Sequence, residues 1–131
     1  MIMAKVPSDL YYTETHEWVK REKSHDIFVV GITDHAQNQL GDIVYVDLPV
    51  LETDIDEGTE VAVVESVKTA ADIYAPLTGT VIAVNTDLAD NPNLINTDPY
   101  GKGWLYRIQS KDQSTFERLL SAADYQQQVE E

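Results

Sequence analysis

The chain has 131 residues, 43% of them hydrophobic, which suffices for one domain with a substantial core and is too little for two. Nine basic against 23 acidic residues leave a formal charge of -14, a field that repels phosphate backbones and anionic lipid heads and so disfavours nucleic acid and membrane surfaces as partners. Cysteine is absent, which excludes disulfides, thiolate metal sites and a thiol nucleophile, and any redox chemistry must be borrowed. Residues 1 to 19 hold a single basic residue, Lys5, and resemble neither a secretory signal nor a transit peptide. No apolar run approaches the roughly 20 residues needed to span a bilayer. With Met1 at the start, these features lead us to expect a protein of the bacterial cytoplasm.

In chain order, residues 18–23 and 27–33 are strand-like and are separated by the turn-prone Ser24, His25 and Asp26, which predicts a hairpin. Thr33 or Asp34 then caps a short helix through Leu40; the spacing of Asp34 and Gln37 allows a capping box, and Gly41 ends it. Further strands are predicted over 43–48, 60–67, 70–75, 79–85 and 103–109, all rich in β-branched or aromatic residues. Proline and glycine mark turns between them, most densely from Asn91 to Gly103. The tail from Ser114 to about Gln128 reads as one helix, with Ser114 and Glu117 spaced as a capping box and Phe116, Leu119, Leu120 and Ala123 on one face. Short strands at this spacing predict a mainly β sandwich or barrel, with a short internal helix and a C-terminal helix.

One charge count stands out. From Ser24 to Gly101 there are fourteen Asp or Glu residues and one basic residue, Lys68. Surfaces chosen for solubility alone normally intersperse both signs. Lys68 lies between two strand-like runs, so it belongs at or near a hairpin tip, where another enzyme can reach its amine. A hairpin centred on Lys68 and Thr69 would set Glu65 opposite Asp72, a carboxylate pair suited to recognition by a modifying enzyme. The bland alternative is a solvated turn lysine, and composition does not overturn it. Catalysis has weaker support: His16, His25 and His35 are scattered, no metal-ligand spacing occurs, and no glycine-rich phosphate loop follows a strand. We therefore expect no catalytic residues and no metal.

The run Glu65-Ser66-Val67-Lys68-Thr69-Ala70-Ala71-Asp72-Ile73-Tyr74-Ala75-Pro76-Leu77-Thr78-Gly79 resembles the lipoylation segment of the glycine cleavage H-protein family. The likeness extends to Tyr12 with His16-Glu17-Trp18, to Gly31-Ile32-Thr33-Asp34-His35-Ala36-Gln37 with Leu40-Gly41-Asp42, and to Asn91-Pro92, Asp98-Pro99-Tyr100-Gly101 and Gly103-Trp104. It implies a single domain over 1–131 with its core at about 11–125: a flattened β-barrel of the lipoyl and biotinyl carrier type, a barrel-sandwich hybrid. It also implies lipoate in amide linkage on Lys68, flanked by the tip residues Glu65, Ser66, Val67, Thr69, Ala70 and Asp72. The extended arm would carry its dithiolane roughly 14 Å from the backbone, from some ten bonds of projected length.

By the same resemblance the chain is a non-catalytic carrier in glycine catabolism and one-carbon metabolism. It would take an aminomethyl group from a pyridoxal-phosphate glycine decarboxylase (P component) to an aminomethyltransferase (T component), and then be reoxidised by dihydrolipoyl dehydrogenase (L component). Lipoate-attaching enzymes are further implied partners, and the protein is expected to be monomeric. A sheltering cleft for the loaded arm is implied too, with Glu17 as its carboxylate and with Asp72, and the helix bearing His35 and Gln39, as weaker candidates for the same cleft. Some relatives carry His where Gln39 stands, and Leu51 to Glu57 is acidic where relatives usually carry a Gly and one or two lysines. A biotin carrier would flank its lysine with Met, whereas Lys68 has Val67 and Thr69. Lipoyl domains of 2-oxo acid dehydrogenases usually show Asp-Lys-Ala at the tip and are tethered to a larger chain. The nearest alternative function is an H-protein-like relay that donates its lipoyl group to other lipoyl domains.

Overall fold

Residues 5–23, 26–110 and 113–130 are described by a computed structural model, and within them the β-branched and aromatic runs become strands. These are β1 (Tyr11–Tyr12), β2 (Glu17–Arg21), β3 (Ile27–Ile32), β4 (Ile43–Asp47), β5 (Asp54–Ile55), β6 (Glu60–Ser66), β7 (Ala70–Tyr74), β8 (Gly79–Val84) and β9 (Tyr106–Gln109). Helices are α1 (Asp34–Leu40), α2 (Leu94–Thr97), α3 (Gln113–Glu117) and α4 (Ala122–Glu130), with a 3-10 turn at Thr86–Ala89.

Two sheets form, a six-stranded one ordered β1-β2-β3-β9-β8-β5 and a three-stranded one ordered β4-β6-β7. Every pairing is antiparallel. Both sheets contribute to one apolar core: Val30, Ile32, Val81 and Ile108 come from the larger, and Ile43, Ala62, Val64 and Ile73 from the smaller. The fold is the expected barrel-sandwich type. The larger sheet ends in two-residue strands, β1 and β5, which leaves little free edge for unwanted pairing.

β3 is buried on both faces, which explains why its sequence, IFVVGI, is continuously apolar instead of alternating. Phe28, Val30 and Ile32 enter the main core, while Val29 joins a second cluster with Leu10, Tyr12, Trp18 and Tyr125. Gly31 is paired with Trp18, and a Cβ there would lie 2.5 Å from the indole. Only glycine lets that ring lie against the strand.

The predicted hairpin forms between β2 and β3, in register from Glu17↔Ile32 to Arg21↔Phe28; Ser24 and His25 of its turn lie outside the described residues. Thr33, not Asp34, caps α1: its hydroxyl accepts from Ala36 N at 3.2 Å. Asp34 instead accepts from the side chain of Gln37 at 2.7 Å, and Gly41, at φ 82, ends the helix as predicted. The expected strand over 103–109 starts only at Tyr106, because Gly103 and Trp104 close turns onto Asp98 and Gly101.

The single C-terminal helix expected from Ser114 to Gln128 is two helices. Between α3 and α4, Leu120 exchanges two backbone hydrogen bonds with Tyr12, at 2.9 and 2.7 Å, and this bridge pulls the chain out of helical geometry. Ser114 is the second residue of α3, which begins at Gln113. Ser121 restarts the helix, its hydroxyl accepting from Asp124 N at 3.2 Å. The anticipated single apolar face is divided accordingly: Phe116 and Leu119 reach the main core, Leu120 the second cluster, and Ala123 is exposed.

Candidate functional site: a lysine-tipped hairpin beside a cleft

β6 and β7 pair from Glu60↔Tyr74 to Glu65↔Ala70 and leave a tight tip at residues 66–69. Ser66 N donates to Thr69 O at 2.7 Å to close it. The Ser66 hydroxyl accepts from Lys68 N at 3.3 Å and Thr69 N at 3.1 Å, so one buried side chain sets the backbone of the lysine. Val67 N donates to Asp42 O at 3.1 Å, tying the tip to the turn after α1. Val67, Lys68, Thr69 and Ala70 are all exposed.

The register corrects one expectation. The hairpin is centred between Val67 and Lys68, so Glu65 faces Ala70 and Asp72 faces Val63, and the two carboxylates are diagonal neighbours instead of a facing pair. A two-residue tip that begins at Val67 moves the centre by one residue and each cross-strand partner by two, which keeps every side chain on its face, and local sequence offers no Asn-Gly or Asp-Gly to fix it.

Beside the tip lies a cleft of about 380 Å³, within the range usual for small-molecule sites. Ile32, Leu40 and Ile73 give it an apolar lining; Thr15, His16, His35, Gln39 and Asp72 provide polar groups. His35 and Gln39 stand four residues apart on α1 and therefore share a face. Asp72 reaches the same cleft from β7. The Lys68 stem leads toward it: its Cε lies 3.8 Å from where a Cβ at Gly41 would sit, immediately after Leu40 of the lining.

Glu17 does not line this cleft. It borders a separate cavity of about 430 Å³ with Thr13, Glu14, Thr15, Tyr74 and the Glu57–Arg118 ion pair. Only 1% exposed, it accepts from the hydroxyls of Thr13 and Thr15 at 2.5 Å each and from Tyr74 N at 3.3 Å. Burial pushes its carboxyl above the usual range, against the opposing pull of those hydrogen bonds. Glu17 thereby bridges β2 to β7, and Thr15 is the residue the two cavities share.

Sequence reasoning did not place His16, Thr15 or Tyr125 at the site. His16 adopts φ 73, a left-handed conformation, in a turn closed by its N–H on Thr13 O at 3.2 Å. Its ring lies 4.8 Å from that of His35, and its Nδ1 is 2.8 Å from the hydroxyl of Tyr125, which also meets Thr33 Oγ1 at 2.7 Å. Burial, and secondarily His35, hold the His16 imidazole below its ordinary pKa, while burial raises the Tyr125 hydroxyl to about 12. The one advance signal was the His-Glu-Trp motif; nothing local announced a partner in α4. Among the described residues no cluster suited to a metal ion occurs, and no helix is long and apolar enough to cross a membrane.

With this geometry in hand, comparison with known proteins is decisive. The family described as glycine cleavage H-protein matches residues 10–131. The chain belongs to that family. It is 55% identical over 128 residues to the glycine cleavage system H protein of Coxiella burnetii, covering 98% of each chain. It is also 55% identical over 127 residues to that of Psychrobacter sp., covering 97% of this chain and 100% of the relative. A crystal structure of a glycine cleavage system H protein from Mycobacterium marinum superposes with a TM-score of 0.86 at 39% identity, over 96% of this chain and 100% of that one. Membership supports a lipoyl-carrier role in glycine cleavage.

Proposed function

We propose that the whole chain acts as one monomeric, non-catalytic unit that carries lipoate in amide linkage on Lys68 and shuttles an aminomethyl group from the glycine decarboxylase component to the aminomethyltransferase component. Dihydrolipoyl dehydrogenase then restores the disulfide. The observation that carries this reading is the Lys68 tip itself: an exposed lysine on a backbone pinned by Ser66, with its Cε beside Gly41, the residue that follows Leu40 of the cleft. When bound, the lipoyl group supplies a dithiolane that accepts the one-carbon unit and two electrons; this chain supplies position and shelter.

The residues present fit such a group. The apolar part of the cleft suits a hydrocarbon arm, and Asp72, His35 and Gln39 offer polar partners near a cationic nitrogen. Glu17 acts from behind, holding the Thr15 hydroxyl that borders the cleft, so it is a positioning residue. Glu65, Ser66, Val67, Thr69, Ala70 and Asp72 form the surface that a lipoate-attaching enzyme reads. The acidic composition fits transient contact with basic faces of partner enzymes in a bacterial cytoplasm.

Intact mass with peptide mapping after co-expression with a lipoate ligase tests this. One lipoyl amide on Lys68, absent from Lys68→Ala, is the expected result. A lipoylated protein that fails to support glycine decarboxylation with the P, T and L components would redirect the role toward lipoyl relay, and an unmodified Lys68 would overturn the carrier reading.

A further inference from the structure

The outer face of the small sheet carries a pattern that the carrier role alone does not require. A register irregularity between Ile43 and Tyr45 turns two consecutive apolar residues outward: Val44 is 53% and Tyr45 54% exposed, on a strand that pairs, among the described residues, with β6 alone. Val67, next to Lys68, is 71% exposed. Tyr45, Glu65 and Ala70 form one row across the three strands, and Asp47, Val63 and Asp72 form the next. Apolar side chains at the Lys68 end are thus interleaved with three carboxylates, with no basic residue on these strands.

We propose that Val44, Tyr45 and Val67 form the apolar centre of a docking face for the enzyme that acylates Lys68, and that this enzyme meets them with apolar side chains flanked by Lys or Arg. The inference rests on the carrier reading and adds the partner surface. Reach selects this partner over the others. An unmodified lysine extends only about 6 Å from its Cα, from five bonds of projected length, so the acylating active site must press against the tip. Enzymes acting on the dithiolane work at the end of an arm roughly 14 Å long and have less need of these side chains. Charge selects its rim: Asp47, Glu65 and Asp72 favour a cationic ring and would raise the association rate in a salt-dependent way. In the step served, Lys68 Nζ bonds the acyl carbon of a lipoyl adenylate as the bond from that carbon to AMP breaks, and the amine releases its proton to solvent.

The test is steady-state lipoylation of the full chain by a lipoate–protein ligase with lipoate and ATP. Variants are Val44→Ser with Tyr45→Ser, Val67→Ser, the triple Asp47→Asn, Glu65→Gln, Asp72→Asn, and the control Ile82→Ser, which removes an exposed apolar residue from the other sheet. We expect the apolar variants to raise KM for the carrier at least tenfold with kcat within twofold, the triple to flatten the salt dependence of kcat/KM, and the control to match wild type. Circular dichroism melts confirm that the variants remain folded. A KM within twofold of wild type in the apolar variants, or an equal rise in Ile82→Ser, overturns the docking face while leaving the carrier reading intact. Failure of the wild type to be lipoylated at Lys68 overturns both.

Discussion

The Lys68 tip and the cluster around Tyr12, Trp18 and Tyr125 are built on opposite plans. The tip is exposed and held mainly by bonds within four consecutive residues, through Ser66, with a single tie from Val67 N to Asp42 O. The cluster is buried, and its bonds join distant segments: Trp18 to Pro99, Thr33 to Tyr125, His16 to Tyr125. Stability and reactivity are thereby separated. On the proposed carrier role, the side chain to be acylated sits where changing its charge costs the fold little, while Leu10 and Tyr125 pack together in the second cluster with Val29 of β3.

The largest test of that separation is Gly31→Ala. The added methyl would meet the Trp18 indole at 2.5 Å, and overpacking of this kind costs about 3 kcal/mol. A large drop in the urea midpoint, with Lys68 still lipoylated in whatever fraction remains folded, is the expected outcome; an unchanged midpoint would mean the ring is not held against β3. A paired comparison follows at smaller size. Tyr125→Phe keeps the ring stack with Tyr12, at 4.7 Å between centroids, but removes the hydroxyl that joins His16 and Thr33. We expect a loss of about 2 kcal/mol, one for each hydrogen bond, with no change in lipoylation rate. Ser66→Ala should do the reverse, costing about 1 kcal/mol and slowing lipoylation severalfold. If both variants changed both readouts alike, the two regions would not be independent.

The same division explains what the sequence disclosed. Lys68 stood out because one cation among carboxylates, between two strand-like runs, is a local pattern. The capped α1 and its Gly41 stop were local too. The pairing of Glu65 with Ala70 depended on where a two-residue tip begins, which no turn residue declares. The split between α3 and α4 depended on a bridge from Leu120 to Tyr12, and helical periodicity cannot register a strand contact from the other end of the chain. At the cleft, α1 was legible from local pattern, whereas Asp72 beside it and Glu17 came only with the family resemblance; Asp72 lines the cleft, and the oxygens of Glu17 are taken by Thr13, Thr15 and Tyr74.

Glu17 joins the two regions, and pH exposes it. Its folded-state pKa is raised, so the folded protein holds that proton more tightly than the unfolded chain does. The resulting stabilisation is present below the ordinary carboxylate value and is lost as pH rises through the raised value. Glu17→Gln does not titrate there. The stability of wild type minus that of Glu17→Gln should therefore fall as pH is raised from about 4 to 8, followed by urea denaturation. His16, whose depressed pKa weakens both proteins as pH falls below its ordinary value, contributes to each and largely cancels. A flat difference would mean that Glu17 is not desolvated.

The smallest effect is expected in a third place, the loop between β4 and β5, which lies in neither region. Glu52 there is exposed and holds φ 64, a left-handed conformation, with its N–H donating to Val81 O at 2.8 Å. That hydrogen bond holds the backbone in place, so the side chain bears the steric cost, about 1 kcal/mol for a residue with a Cβ. Glycine removes that cost but enlarges the conformational freedom of the unfolded chain, which takes back roughly half of it. Glu52→Gly should thus stabilise by about 0.5 kcal/mol, a rise of roughly 2 °C in Tm for a chain this size. It also removes one carboxylate from the acidic 51–57 segment, far in sequence from Lys68, and lipoylation should proceed at the wild-type rate. A slower reaction would mean that the acylating enzyme reads this loop as well as the tip.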